Sequence, residues 1–405
     1  MAHFTYTAQK SDGETYSGTA EANDRFELYE IIRREGAHIL SISENSGGGM
    51  LTLSYWNLKL AHINEYEKIL FARNLGAMLS AGLALTRALA VIERQSKNIK
   101  LASVVSHVGS DVRHGDNLNT ALAKFSPTFS SVFIAMVRAG EESGDLSGSL
   151  ATVADQMERM YDLKKKIRGA LIYPCIILIA MVGISAVMMV VVVPTLAQTF
   201  AEMHATLPLS TRIVVAISNF LKDNTIYAIL GVFTFGALVY GILKTKRGTR
   251  AFEFTFLHIP VIGNLVREIN AARTARTLSS LLTAGVDVMT SLSITAEVVQ
   301  NSYFREVINT AREGVTAGEA LSTAFVKRED LYPAFVGEMM SVGEETGTTA
   351  DMLKRLAVYY ETEVDRKTKD MSTIVEPFLM LLIGSGVGFF AVSMITPIYQ
   401  MSQNI

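Results

Sequence analysis

Gly140-Glu141-Glu142-Ser143-Gly144 and Gly343-Glu344-Glu345-Thr346-Gly347 are nearly the same pentapeptide, written twice in one chain of 405 residues. The spacing between them is 203 residues, and it holds outward in both directions without a gap. Ala72, Arg73, Leu75, Leu79, Ala81 and Gly82 recur as Ala275, Arg276, Leu278, Leu282, Ala284 and Gly285, and Gly115 recurs as Gly318. Lys166, Pro174, Gly183 and Pro194 recur as Lys369, Pro377, Gly386 and Pro397. About 120 residues are therefore duplicated. Each copy opens on polar helical periodicity and closes on an apolar run too long for an ordinary core helix. The doubled unit is a helical bundle plus a membrane anchor, which points to a two-lobed platform rather than an enzyme.

Composition agrees. The chain is 49% hydrophobic and 19% charged, too apolar for an average soluble protein and too charged for one wholly in lipid. The net charge of −2 hides an uneven distribution. The single cysteine, Cys175, lies inside an apolar run, so neither an internal disulfide nor a redox role is supported. Met1 to Tyr6 lacks the basic region and apolar stretch of a signal peptide.

Three runs are long enough to span a membrane, near Leu171 to Val193, Ile226 to Leu243 and Pro377 to Ile395, and none contains a charged side chain. Lys164, Lys165, Lys166 and Arg168 precede the first, Lys244, Lys246, Arg247 and Arg250 follow the second, and Arg366, Lys367 and Lys369 precede the third. The positive-inside rule then makes the N-terminus and both bundles cytoplasmic. The expected order is a small N-terminal unit over 1–45, a connector over 46–64 and a first bundle over 65–168. A span over 169–195, a periplasmic loop over 196–224 and a span over 225–243 follow. A second bundle over 244–374, a span over 375–397 and a periplasmic tail over 398–405 complete it. The copies enter the membrane in the same direction, and the unduplicated second span returns the chain. The fold class is mainly α, a polytopic membrane protein with two duplicated cytosolic helical bundles, three transmembrane helices and a small N-terminal α+β unit.

Phe4 and Tyr6 alternate with polar residues, Ser11-Asp12-Gly13-Glu14 offers a turn, and 15–20 and 38–43 read as strands. A helix over about 24–35, stopped by Gly36, makes the unit ββαβ. Within the first bundle, helices are expected to stop at Gly82, Gly115 and Gly140, in the manner of left-handed C-caps, with a last helix running from about Leu146 toward the membrane.

The candidate site residues are Gly140, Glu141, Glu142 and Gly144, their counterparts Gly343, Glu344, Glu345 and Gly347, and Pro174 with Pro377. In the structural reading, the first glycine ends one helix and the acids cap the next. In the functional reading the loops are acidic contacts for a partner. A divalent-cation site comes last, because two adjacent glutamates fall short of the roughly six oxygens calcium takes. Pro174 and Pro377 either kink their spans or open a new helix, where a proline costs little. Pro194 and Pro397 read as the far ends of the spans. Gly183 with Ala186, and Gly384 with Gly388, are small-residue faces suited to close helix packing.

The absences narrow the class. There is no phosphate-binding Gly-x-x-x-x-Gly-Lys-Ser/Thr loop, no His or Cys grouping at ligand spacing and no supported catalytic triad, so no metal, cofactor or enzyme activity is expected. The spans carry no ionisable residue, and the repeats are parallel, which disfavours the competing reading of a transporter or channel. The basic residues sit at membrane boundaries and need no nucleic acid to explain them.

With the paired acidic loops, Lys166-Ile167 followed by Tyr173-Pro174, Pro194 twenty residues on and Glu376-Pro377 in the second copy, the chain resembles the type II secretion F / type IV pilus inner-membrane platform family (GspF/PilC-like). The resemblance covers nearly the whole chain. It implies a cytoplasmic-membrane protein that couples a hexameric cytosolic assembly ATPase to the insertion of pilin or pseudopilin subunits into a filament. It also implies contact with other inner-membrane assembly proteins, and a homo-oligomer is expected, with a dimer as one form open to it.

Overall fold

The computed structural model describes residues 2–10, 15–22, 37–45, 62–202, 208–260 and 262–402. The expected helix over 24–35 and most of the connector lie outside these. The chain divides into two compact units, residues 1–64 with 86–115, and residues 65–85 with 116–405.

In the first unit, strands β1 (Ala2–Lys10), β2 (Thr15–Ala22) and β3 (Ala37–Asn45) form a sheet of order β2-β1-β3, antiparallel throughout. Tyr6 lies opposite Gly18 on one side and Ile42 on the other, and the β1–β3 register slips between Thr7 and Ala8. Helices α2 (Leu85–Gln95) and α3 (Ile99–Arg113) belong to the same unit. Asn98 starts α3 by accepting the Lys100 and Leu101 amides on its side-chain oxygen, and it donates to the His62 carbonyl.

The second unit begins with α1 (Glu65–Ser80) and continues with α4 (Leu118–Ala123), α5 (Ser131–Ser143) and α6 (Leu146–Val187). A π-helical turn over Met188–Val192 leads into α7 (Val193–Glu202). Helices α8 (Leu209–Asp223), α9 (Thr225–Lys244) and α10 (Lys246–His258) are unduplicated. The second copy follows as α11 (Ile262–Thr283), α12 (Val288–Val298), α13 (Ser302–Thr316), α14 (Leu321–Val326), α15 (Ala334–Thr346) and α16 (Thr349–Ser402). The bounds of α2 to α5 reappear in α12 to α15 at the 203-residue spacing, residue for residue. The turn after α1 shows why. Gly82, at φ +82°, donates to the Leu79 carbonyl while Leu83 donates to Met78, and Gly285, at φ +84°, repeats the pair with Leu282 and Leu281. Only glycine enters that left-handed region without strain.

The two copies fill equivalent core positions differently. Phe71 and Phe129 are in ring contact at 5.4 Å in the first copy. Their counterparts are Thr274 and Tyr332, whose hydroxyls hydrogen-bond at 2.9 Å in the middle of the second core. Complete burial pushes the Tyr332 phenol well above its ordinary pKa. Phe304 and Phe325 pack edge-on against that ring.

The copies meet along α6. Gln156 donates to Thr277 at 3.3 Å and accepts from Ser280 at 2.6 Å, both on α11. Nearer the apolar runs, Lys166 pairs with Asp365 of α16 at 2.9 Å. Among the described residues, three helices are long and apolar enough to cross a membrane: α6 through α7, α9, and α16. Their apolar windows are almost wholly uncovered by protein, with Ile179 73% exposed. Among the described residues, no other element comes within 4 Å of a Cβ built on Gly183, Gly384 or Gly388, so these glycines carry no packing contact between described helices.

Residues 196–224, expected as a loop, are largely helical: α7 continues to Glu202, and α8 fills Leu209–Asp223. Helix α8 is amphipathic. Thr211, Val214 and Ser218 form its buried stripe, and Val214 clusters with Val193, Phe200 and Met394.

Candidate functional site

The acidic loops are not loops at their first residue. Gly140 and Gly343 lie inside α5 and α15, and the left-handed stops come four residues later, at Gly144 (φ +77°) and Gly347 (φ +69°). This corrects the expectation that the first glycine ends the helix. Its role is proximity. A Cβ on Gly140 would come within 2.6 Å of the Ser149 side chain, and one on Gly343 within 2.9 Å of the Thr349 backbone. Each glycine thus lets one helix press against the first turn of the next.

The first glutamate of each loop turns inward. Glu141 accepts the Leu118 amide at 2.5 Å and the Asn119 amide at 2.9 Å. Glu344 accepts the Leu321 amide at 2.5 Å and the Ser322 amide at 2.9 Å. These are the free amides at the starts of α4 and α14, whose own cap residues, Asn117 and Ala320, supply no side-chain hydrogen bond. The acids therefore do cap helices, but ones more than twenty residues upstream rather than the next in sequence. The next helix, α6, is capped by Asp145, which accepts from the Gly148 amide. The second glutamate of each loop faces solvent. Glu142 pairs with Arg138 at 2.7 Å, both side chains about two-thirds exposed, and Glu345 accepts from Ser341 at 3.5 Å. Among the described residues, no three His, Cys, Asp or Glu side chains converge as they would around a metal ion.

The prolines sit in continuous helices. Pro174 is inside α6 and Pro377 inside α16, so neither opens a new helix. Pro194 and Pro397 do not end the helical path either, since α7 runs on to Glu202 and α16 to Ser402. Both remove a backbone amide, which leaves a carbonyl without its helical partner. In α16 the deprived carbonyl is four residues back, at Ser393, and Thr211 of α8 donates its hydroxyl there at 2.5 Å. Before Pro194 the helix has widened, with the Val193 amide bonding to the Met188 carbonyl. The deprived carbonyl is then five residues back, at Met189, and Ser218 of α8 donates its hydroxyl to it, also at 2.5 Å. One unduplicated helix thus satisfies the same deficit in both copies. That is why helices that should have stopped continue.

A second matched pair escaped the sequence reading. Arg73 bonds Glu158, and Arg276 bonds Glu361 at 2.7 Å from two of its nitrogens. The first pair is 45% and 38% exposed, the second 10% and 16%. The 203-residue spacing relates both arginines and both glutamates, and that was the signal that could have found them.

Residues 71–194 and 274–397, the two copies at the same spacing, each match the family described as Type II secretion system (T2SS), protein F. The chain is 32% identical over 404 residues to the type IV pilus assembly protein PilC of Thermus thermophilus, covering 99% of this chain and 98% of that one. It is 32% identical to the type IV pilus assembly protein PilC of Pseudomonas aeruginosa over 84% of this chain and 91% of that one. It is 28% identical to the type II secretion system protein F of Aeromonas hydrophila over 95% of this chain and 99% of that one. With the family match present in both copies and covering more than half of the chain, this protein belongs to the type II secretion system protein F family.

Proposed function

We propose that the chain is the inner-membrane platform of a filament-building machine, a type IV pilus or a type II secretion apparatus, that couples a hexameric cytosolic ATPase to insertion of pilin or pseudopilin subunits. The observation that carries this reading is near-full-length similarity to proteins named for those two machines. The geometry supports it: each bundle's last helix is continuous with an apolar membrane helix, so a displacement of the bundle reaches the bilayer without crossing a hinge loop. On this reading the N-terminus and both bundles are cytoplasmic, by the placement of the basic residues. The outward-facing Glu142 and Glu345 are contact residues for cytosolic partners. Glu141, Glu344 and the loop glycines Gly140, Gly144, Gly343 and Gly347 hold the surface that presents them. Pro174 and Pro377 adjust the helices that carry the motion. The platform itself performs no chemistry, and the energy comes from the partner ATPase.

The test is deletion of the gene in its host with complementation, counting surface filaments by electron microscopy and profiling secreted proteins while monitoring ATPase levels. Lost filaments with normal ATPase levels establish a pilus platform. Lost secretion of folded proteins with intact surface filaments establishes the secretion branch. Neither defect would overturn the reading.

A further inference from the structure

We propose that Thr211 and Ser218 are positioning residues through which α8 acts as a crossbar, making the far ends of the two duplicated long helices move as one body. Three observations converge. First, both hydroxyls are fully buried, and each donates to a carbonyl that a proline has deprived of its amide partner. Second, they are seven residues apart on α8, two helical turns, so one face of one helix reaches both copies. Third, between them Val214 packs in a cluster with Val193 and Phe200 of the first copy's helix and Met394 of the second's.

The pairing of hydroxyls with prolines makes this more than ordinary packing. Each deprived carbonyl receives a hydroxyl from a fully buried α8 residue in place of the missing amide, and a buried carbonyl left without a partner is costly. Releasing α8 would expose both deficits together. The crossbar therefore resists letting go at one end alone, and the two proline sites become coupled through it. Toward the bundles the copies are joined separately, by Lys166 with Asp365 and by Gln156 with Ser280. Motion driven from the bundles would then arrive at far ends that are pinned to each other.

The full-length protein tests this in nanodiscs, with Cys175→Ser and spin labels on cysteines replacing exposed Gln198 and Ile395 at the far ends. A second label pair, replacing Arg159 and Thr362, reports the near ends. The unaltered crossbar gives one narrow far-end distance distribution. Thr211→Val with Ser218→Ala broadens it about twofold and leaves the near-end pair unchanged, as expected when a minor open state becomes populated. Thr211→Ser, which keeps the hydroxyl, leaves it narrow. Pro397→Ala restores an amide to the Ser393 carbonyl, so it should make Thr211→Val harmless, and this single-site comparison decides the matter if the double variant does not fold. A far-end distribution that stays narrow in folded Thr211→Val/Ser218→Ala protein, or a Thr211→Val defect that Pro397→Ala does not suppress, overturns the proposal. The readout needs no ATPase or filament subunit, so it stands apart from the functional reading.

Discussion

The Glu344 carboxylate receives the Leu321 amide at 2.5 Å, and Glu141 receives the Leu118 amide at the same distance in the other copy. An acidic pair that looks like a surface motif is thus divided between two tasks. Glu344→Ala should cost about 1–2 kcal/mol, as loss of a helix cap does. Glu345→Ala, at an exposed position, should stay within about 0.5 kcal/mol. Thermal unfolding of the purified variants separates them, and equal destabilisation would refute the division.

The two arginine–glutamate pairs offer an internal comparison. Arg276→Ala strands Glu361 in a largely covered site and should destabilise by about 3 kcal/mol. Arg73→Ala breaks an exposed pair and should cost under about 1 kcal/mol. Parallel denaturation curves would show it, with the Arg276 midpoint falling clearly further.

At the centre of the second core, Tyr332→Phe leaves the buried Thr274 hydroxyl without its partner and should cost about 1–3 kcal/mol. Adding Thr274→Val removes the stranded hydroxyl and should recover much of that loss. The first copy already does without the polar pair, holding Phe71 and Phe129 at these positions. A double variant no better than the single would mean the cavity, not the hydrogen bond, dominates.

Asp287 caps α12, and hydrogen bonds from Thr290, side chain first and backbone amide second, hold its carboxyl below the ordinary value of 3.8. A lowered folded value means its contribution is present above about pH 4 and disappears as the pH falls through the folded value. Asp287→Asn keeps a capping oxygen without the charge. Acid titration of stability should therefore be shallower in Asp287→Asn than in the parent below pH 4, and superimposable curves would argue against the cap.

Much of this was legible in the sequence because duplication makes local signals confirm each other. Gly82 and Gly115 alone are ordinary helix stops, but with Gly285 and Gly318 at one spacing they mark helix ends, and all four adopt positive φ. The three apolar helices were legible for the same reason that hydropathy works, since a bilayer demands length and composition. What stayed hidden depends on approach in space. Nothing in Gly-Glu-Glu-Ser-Gly says that the first acid reaches back to Leu118. Nothing in Pro194 says that a hydroxyl 24 residues later replaces the amide it lacks. Helix α8 was missed because its polar stripe, Thr211 and Ser218, faces inward onto backbone, and so looks like solvent-facing polarity when only composition is read.

The π-helical turn over Met188–Val192 has no counterpart in α16. A widened turn takes up one additional residue, and at 3.6 residues per turn that residue rotates everything beyond it by about 100°. The two copies therefore keep the same count in sequence while their far ends point around their axes in different directions. Straightening Met188–Val192 into an ordinary α-turn at the same residue count would swing α7 by that angle and carry its Val193 and Phe200 face away from α8, whereas deleting one valine from Val190–Val192 removes the additional residue and should leave that face in place. Phase, rather than length, is what this segment of the membrane helix regulates.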